Sequence, residues 1–454
     1  MTVAVLADLL EFTRDGEWGE GEAGDGLVNV GIIRGTDFSS VRYGDLSGIP
    51  TRYVRAGVVE KKQLRPGDVL IETAGGTKDQ PTGRTVYLRD ELFQLIDKPL
   101  LCASFARFLR VREGSIDPQF LFWKLQDEYL RGELLPYHVQ HTGVARFQYT
   151  QFASTHRLVV PDTADEQKAI ASVLSAIEEK IQLNRRMNET LEALAQAIFK
   201  DWFVSFGPTR RKMGGAINPV AILGGLISDP AKAAYLAALF STNLGEDGLP
   251  QGWELREIGE QSQALGGSTP STKEPAFWEP AEHCWATPKD LSAQSDLALF
   301  ETERKISDAG LARITSGLLP AGTVLLSSRA PIGYLAISQV PIAINQGFIA
   351  LPPSESFGTA YLYFWCKANM EQIQANANGS TFQEISKRNF RPIKSAVPSD
   401  ERILTAFVEI VDPLIARIVS AANENRTLAE TRDYLLPKLM SGAVRVRDAE
   451  RAVS

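Results

Sequence analysis

Several short stretches of this 454-residue chain bring chemically capable side chains close together, and their spacing decides what they can do. Pro161-Asp162 followed by Glu166-Gln167-Lys168 has the order of a nuclease's paired acids and lysine. Such acids must converge on a divalent cation from a strand framework, whereas these open a single helical stretch. Gly75-Gly76-Thr77-Lys78 has the composition of a phosphate loop, but its lysine follows the threonine and the wider glycine spacing is missing. His138 and His141 have no convergent third ligand, which favours polar surface contacts over a metal. No helicase-type ATP site is visible. Cys102, Cys284 and Cys366 lie far apart with no CxxC spacing, as in packing residues of a reducing cytoplasm.

The chain is richer in groups that bind. Its loops place small hydroxyls, amides and Lys or Arg on glycine-flexed backbone, the inventory for positioning phosphates and reading base edges. The formal net charge of −7 is spread thinly and no section is basic overall, so any nucleic-acid contact must come from local patches. At 44% hydrophobic and 23% charged, the chain reads as an ordinary soluble protein with two or three domains. The first residues carry acids and no cationic lead, unlike a secretory signal. The longest apolar runs stay below the roughly 18 residues of a membrane helix.

The elements that must position these loops are two long helices. In 161–206, Ile170, Val173, Leu174, Ile177, Ile181, Met187, Leu191, Leu194 and Ile198 recur at spacings of three and four, which predicts a helix of about 38 residues, roughly 57 Å long. Asp162, Asp165 and Glu166 suit its positive end. The pattern returns from Pro398 at an offset of 398 − 161 = 237, pairing Ile177 with Leu414, Ile181 with Ile418 and Trp202 with Leu439. A repeated unit, each copy ending in its helix, follows. The two helices are expected to pair as an antiparallel coiled coil, with Asn184 on the stripe setting the register.

The domains in order are 1–160, the helix 161–207, a linker 208–248, a second domain 249–397, the helix 398–442 and a tail 443–454. Each globular part is a mixed α/β domain. The turn Arg65-Pro66-Gly67-Asp68 feeds a buried strand and is matched by Pro320-Ala321-Gly322-Thr323. A helix at 117–130 with an Asp cap and Pro next is matched by one at 359–373. Arg210, Arg211 and Lys212 open the linker and read as solvated.

The run from 165 to 206, above all DEQ-IA-VL-AIEEKI and LAQAIFKDWFV, resembles the central conserved region of specificity subunits of type I restriction-modification enzymes. Gly266-Gly267-Ser268-Thr269-Pro270-Ser271, Trp285-Ala286-Thr287-Pro288-Lys289, Ser327-Ser328-Arg329-Ala330-Pro331 and Ile344-Asn345-Gln346-Gly347-Phe348 are similar to that family's target-recognition domains. Gly67-Asp68-Val69-Leu70-Ile71 and Gly75-Gly76-Thr77 carry a weaker likeness in the first domain.

The resemblance implies a non-catalytic subunit with two target-recognition domains joined by two antiparallel helices. Each domain would read half of a split double-stranded DNA target, and the helices would fix the spacing at roughly one to one and a half turns of duplex at ~34 Å per turn. It also implies DNA methyltransferase subunits, two of them, and motor-nuclease subunits as partners. S-adenosylmethionine, ATP and Mg would belong to those partners and none to this chain. The absence of an Asn/Asp-Pro-Pro-aromatic motif agrees, since Asn218-Pro219-Val220 does not match it.

Expected DNA contacts are Lys78, Arg84, His141, Arg146 and Gln148 in the first domain, and Thr269, Ser271, Thr272, Lys273, Lys289, Arg329 and Gln346 in the second. Arg329 reads equally as a structural arginine, and Trp278 and Trp285 read as core. Phe199, Trp202, Phe203 and Phe206 form either a partner-docking surface or packing beneath their own domain. The alternative from another class is a helical scaffold or adaptor that does not touch DNA.

Overall fold

The computed structural model describes residues 2–453 apart from 77–79, 141–143, 293, 295, 355–356 and 380–382, with side chains described as far as residue 449. The chain divides into two units, one made of Met1–Gln182 with Arg426–Ser454, the other of Leu183–Asn425. The division falls inside the long helices Ala164–Phe199 and Glu401–Met440 rather than at 160/161 and 397/398, because the two ends of each apolar stripe enter different cores.

The strands of the first unit are β1 (Thr2–Val5), β2 (Leu10–Asp15), β3 (Leu27–Ile33), β4 (Thr51–Arg55), β5 (Val69–Glu72), β6 (Thr85–Tyr87), β7 (Leu100–Cys102), β8 (Ala106–Val111), β9 (His138–Gln140), β10 (Ala145–Phe147) and β11 (Arg157–Val160). One sheet has β3 at its centre, antiparallel to β4 and parallel to β7; the other runs β2-β8-β5-β6, all antiparallel. β1 and β11 pair as a ribbon, and β11 leads into the first long helix.

The second unit has β12 (Trp253–Glu257), β13 (His283–Ala286), β14 (Ala298–Leu299), β15 (Lys305–Ile306), β16 (Val324–Ser327), β17 (Leu335–Ser338), β18 (Ile342–Ile344), β19 (Phe348–Leu351) and β20 (Lys394–Pro398). Here β13 sits between antiparallel β15 and parallel β18, and β12 and β20 form the ribbon. Its other sheet, β14-β17-β16-β19, contains the same antiparallel trio as β6-β5-β8, with the fourth strand on the opposite edge. The internal repeat is therefore one of topology as well as of helices.

Local sequence explains the matched parts. All four residues of β5 and of β16 are buried, and the first three of each are apolar without alternation. Each follows a glycine at φ +85°, Gly67 or Gly322, a conformation other residues rarely adopt. Helix Pro118–Leu130 is capped by the Asp117 carboxylate, which accepts from the Phe120 amide at 2.8 Å. Its counterpart Thr359–Ala368 stops earlier than the sequence predicts, at Asn369, whose side-chain amide donates to the Trp365 carbonyl and competes with the helical ladder.

In both units the two long helices run antiparallel, partner numbers falling on one as they rise on the other. In the first, Ile170, Leu174, Ile177 and Ile181 share a core with Leu435, Leu436 and Leu439. In the second, the Asn184 amide donates to Asn425 Oδ1 at 3.0 Å, the Asn188 amide to the Ile418 carbonyl at 3.3 Å, and Phe199 lies 5.7 Å from Phe407. Asn184 thus sits on the seam as expected. Beyond it the seam passes through Ala195, and Leu194 is 43% exposed, since three- and four-residue steps cannot be told apart from spacing alone.

The aromatic group at the end of the first long helix is not a docking surface. Phe199, Trp202, Phe203 and Phe206 are 1%, 1%, 4% and 9% exposed. A π-helical turn at Lys200–Val204 turns Trp202 onto Phe240 and Phe203 onto Tyr361, at 5.0 and 5.1 Å. The supposed linker supplies part of that cover: its helix Pro230–Leu239 is folded into the core through Ala233, Leu236 and Ala237. Its basic triplet is tied down too, with Arg211 bidentate on Asp201, Lys212 donating to the Phe240 carbonyl and Arg210 to that of Ser205. No helix among the described residues is long and apolar enough to cross a membrane.

Candidate nucleic-acid interface

The loops that carry the expected contacts gather, in each unit, at the carboxyl ends of the two parallel strands, where open α/β sheets commonly hold ligands. The same backbone frame builds both rims. The amides of Ala103 and Asn345 donate to Ile33 and Ala286, at 2.8 and 3.0 Å. Those of Glu17 and Ser268 donate to Cys102 and Ile344, at 2.8 and 3.2 Å. Those of Thr73 and Ser328 donate to Phe105 and Gly347, both at 2.8 Å, and those of Phe147 and Ile385 donate back to Thr73 and Ser328, at 2.9 and 3.0 Å. Asp37 and Asp290 each accept from the amide three residues earlier, at 2.8 and 2.7 Å. The close approach of the entering loop demands glycine in both: a Cβ on Gly16 would lie 2.0 Å from the Cys102 oxygen, and one on Gly267 1.7 Å from that of Ile344. These bonds set up a correspondence, Trp18 with Thr269, Ala74 with Arg329, Ser104 with Gln346, Phe105 with Gly347 and Arg146 with Glu384.

On the second rim, Thr269 Oγ1 donates to Gln346 Oε1 at 2.5 Å, leaving the amide N–H groups and a second lone pair for a base edge. Arg329 faces Glu384 at 3.9 Å, too long for a closed pair, and its side chain is 37% exposed. Lys289 pairs with Glu303 at 2.8 Å in open solvent, and that hydrogen bond raises its pKa. Ser271, Thr272 and Lys273 are exposed on a loop held by Trp278, whose indole donates to the Ser271 carbonyl at 3.0 Å. Trp285 is buried as expected, but Trp278 is only half-buried, with the Arg304 guanidinium 3.6 Å above its ring.

Sequence reasoning missed Arg304, Lys387 and Arg388. Lys387 and Arg388 open a short helix capped by Ser386, are exposed, and form no ion pair with a described residue. Lys387 Nζ would lie 3.3 Å from a Cβ placed on Gly266, which sets it beside the Thr269 loop. The Ser386-Lys387-Arg388 run was the available signal.

The first rim is a cleft of about 830 Å³ lined by Trp18, Arg34, Thr36, Glu72, Ala74, Gln80, Arg84, Ser104 and Phe105 among others. Arg84 lies in its wall but is not free to bind. It grips the buried Glu72 carboxylate at 2.9 and 2.6 Å and donates to the Gly35 carbonyl, and the Glu72 bond raises its pKa. Arg34 is closed on Asp37 in the same way. Arg146 stands exposed on β10, bridged to Ala74, with no ion pair to a described residue. Gln148 is exposed at the start of helix Tyr149–Thr155. Lys78 and His141 lie outside the described residues.

The nuclease-like pair is structural. Asp162 accepts from Thr2 Oγ1 at 2.6 Å, Glu166 points to solvent, and Gln167 bridges the Pro161 carbonyl and the Asp117 amide. His138 is taken up by Thr82, whose amide donates to its Nδ1 at 3.1 Å. Among the described residues, two groups have metal-ligand types within 4.8 Å of one another, Glu128 with Glu133 and His156, and Glu282 with His283 and Asp308. In the first, Glu128 is already engaged by Lys124 and His156, and the second is largely open to solvent.

Residues 250–430 match the family described as the type I restriction modification DNA specificity domain. The whole chain is similar to the HindI type I restriction enzyme specificity subunit of Haemophilus influenzae, 24% identical over 92% of this chain and 94% of that one. Residues 250–430 thus carry the DNA specificity domain of type I restriction-modification enzymes. The chain is also 33% identical to the MjaIX specificity subunit of Methanocaldococcus jannaschii, over 38% of its own length and 41% of the relative's. Its fold is that of the crystallised S subunit from M. genitalium, with a TM-score of 0.55 at 16% identity, covering 96% and 95% of the two chains.

Proposed function

We propose that this chain is a specificity subunit that reads a split double-stranded DNA target, each unit contacting one half through its rim. The observation that carries this is the shared backbone frame with unlike side chains: the same hydrogen bonds hold Thr269, Arg329 and Gln346 in one unit and Trp18, Ala74 and Ser104 in the other. A constant frame bearing variable side chains is what two readers of different sequences require. Arg and Gln at the second rim are the residue types that pair bidentately with guanine and adenine.

The chain works as a non-catalytic part of a cytoplasmic complex. DNA methyltransferase subunits, two by the internal repeat, would bring S-adenosylmethionine, and motor-nuclease subunits would bring ATP and Mg. The buried aromatic group leaves their docking to other surfaces. Mapping methylated positions in cells that carry the chain with its neighbouring methyltransferase gives the target. Exchanging residues 249–397 for those of a relative should alter one half of it. A change in both halves, or retention of DNA without sequence preference, would defeat the reading and favour a helical scaffold.

A further inference from the structure

We propose that the first unit reads a thymine, with Phe105 and Trp18 receiving its C5-methyl group and the Ser104 hydroxyl its O4. The inference rests on the base-reading role proposed above and specifies its chemistry in one half of the target.

At every position where the second rim presents a polar reader, the first presents something else. Trp18 stands in the place of Thr269, Ala74 in that of Arg329 and Ser104 in that of Gln346, and Phe105 replaces Gly347. Phe105 is 58% exposed and Trp18 37%, and both line the cleft of about 830 Å³. The two guanidinium groups of the cleft that could have claimed a guanine are spent, Arg84 on Glu72 and Arg34 on Asp37. The Arg52 guanidinium lies 4.4 Å from the Trp18 ring centre and steadies the indole.

What covers such a surface follows from the bases. Thymine alone carries an apolar group on its major-groove edge, beside an O4 that accepts a hydrogen bond. Phe105 and the exposed Ser104 hydroxyl, adjacent in sequence, match that pair of features. Arg146, exposed and bridged to Ala74 at the margin of the cleft, supplies the positive charge to hold the neighbouring backbone phosphate.

The test uses the full-length chain with its methyltransferase subunits bound, and the mapped target duplex in which each thymine of the first unit's half is replaced singly by deoxyuridine. Removing one methyl group from an apolar contact should weaken binding about tenfold at one thymine and little elsewhere. Phe105→Ala should bind the thymine duplex about tenfold more weakly and no longer distinguish it from its deoxyuridine form. Phe105→Leu, which keeps an apolar surface, should retain part of the difference. The proposal falls if that half contains no thymine, if every deoxyuridine duplex binds as the parent does, or if Phe105→Ala keeps the full difference. Sequence preference that persists in any of these cases leaves base reading intact and removes only the thymine assignment; its complete absence removes both.

Discussion

The Glu178 carboxylate lies 2.8 Å from the Arg432 guanidinium, joining the two long helices inside the first unit, while Arg42 grips the same carboxylate at 2.7 and 3.0 Å from the globular part. Three separate stretches of chain meet on one buried acid. Glu178→Gln would leave Arg42 without its counter-charge and Arg432 with Asp433 alone, and should cost about 3 kcal/mol at neutral pH, read from the denaturant midpoint. Burial pushes the carboxyl's pKa up, but Arg42 and Arg432 outweigh it and hold it below the ordinary 4.5. A group with a lowered folded pKa stabilises above its unfolded value and loses that contribution as pH falls through the folded one. The gap between wild type and variant should therefore be constant above pH 4.5 and close below it. A gap that widens in acid would contradict the assignment.

Trp202→Ala empties a site in the core of the second unit and should cost about 4 kcal/mol. Partner affinity, measured on the folded fraction, should be unchanged. Weaker partner binding at undiminished stability would return the aromatic group to the surface role its composition suggested.

Lys387→Ala with Arg388→Ala should weaken DNA binding to all sequences alike. The slope of log affinity against log salt should fall by about 2, near 0.9 for each phosphate that no longer meets a cation. An unchanged slope would place these cations away from the backbone.

Arg329→Ala should behave differently. It should cost about 1–3 kcal/mol on the cognate duplex and relax discrimination at a single base pair, with little effect on the salt slope. Uniform weakening across sequences would make Arg329 a phosphate contact instead.

How much could be read beforehand varied with how local the signal was. The long helices were legible because their stripe repeats every few residues, and Asn184 stood out as a polar residue on that stripe. The correspondence between rims was hidden because its offset drifts, from 269 − 18 = 251 at the first loop to 385 − 147 = 238 near the hairpin, as insertions accumulate between strands. Arg84 and Arg329 looked alike as candidates. Only strand pairing reveals that Glu72 waits beside one and that Glu384 stays 3.9 Å from the other. The segment at 208–248 looked like a linker because its glycine pairs conceal the first two of its three short helices, the Ala-rich third being legible, and nothing local announces that Phe240 must reach Trp202.

The split of each long helix between two cores has a consequence for biosynthesis. A ribosome delivers the chain from its amino end, yet the unit that starts first lacks Leu435, Leu436 and Leu439 until all of the later unit has been translated. The later unit is contiguous and has all its residues once Asn425 has emerged. The domain begun first is thus the one completed last, and a ribosome halted just as Asn425 emerges would hold a finished carboxyl-side reader and an open amino-side one.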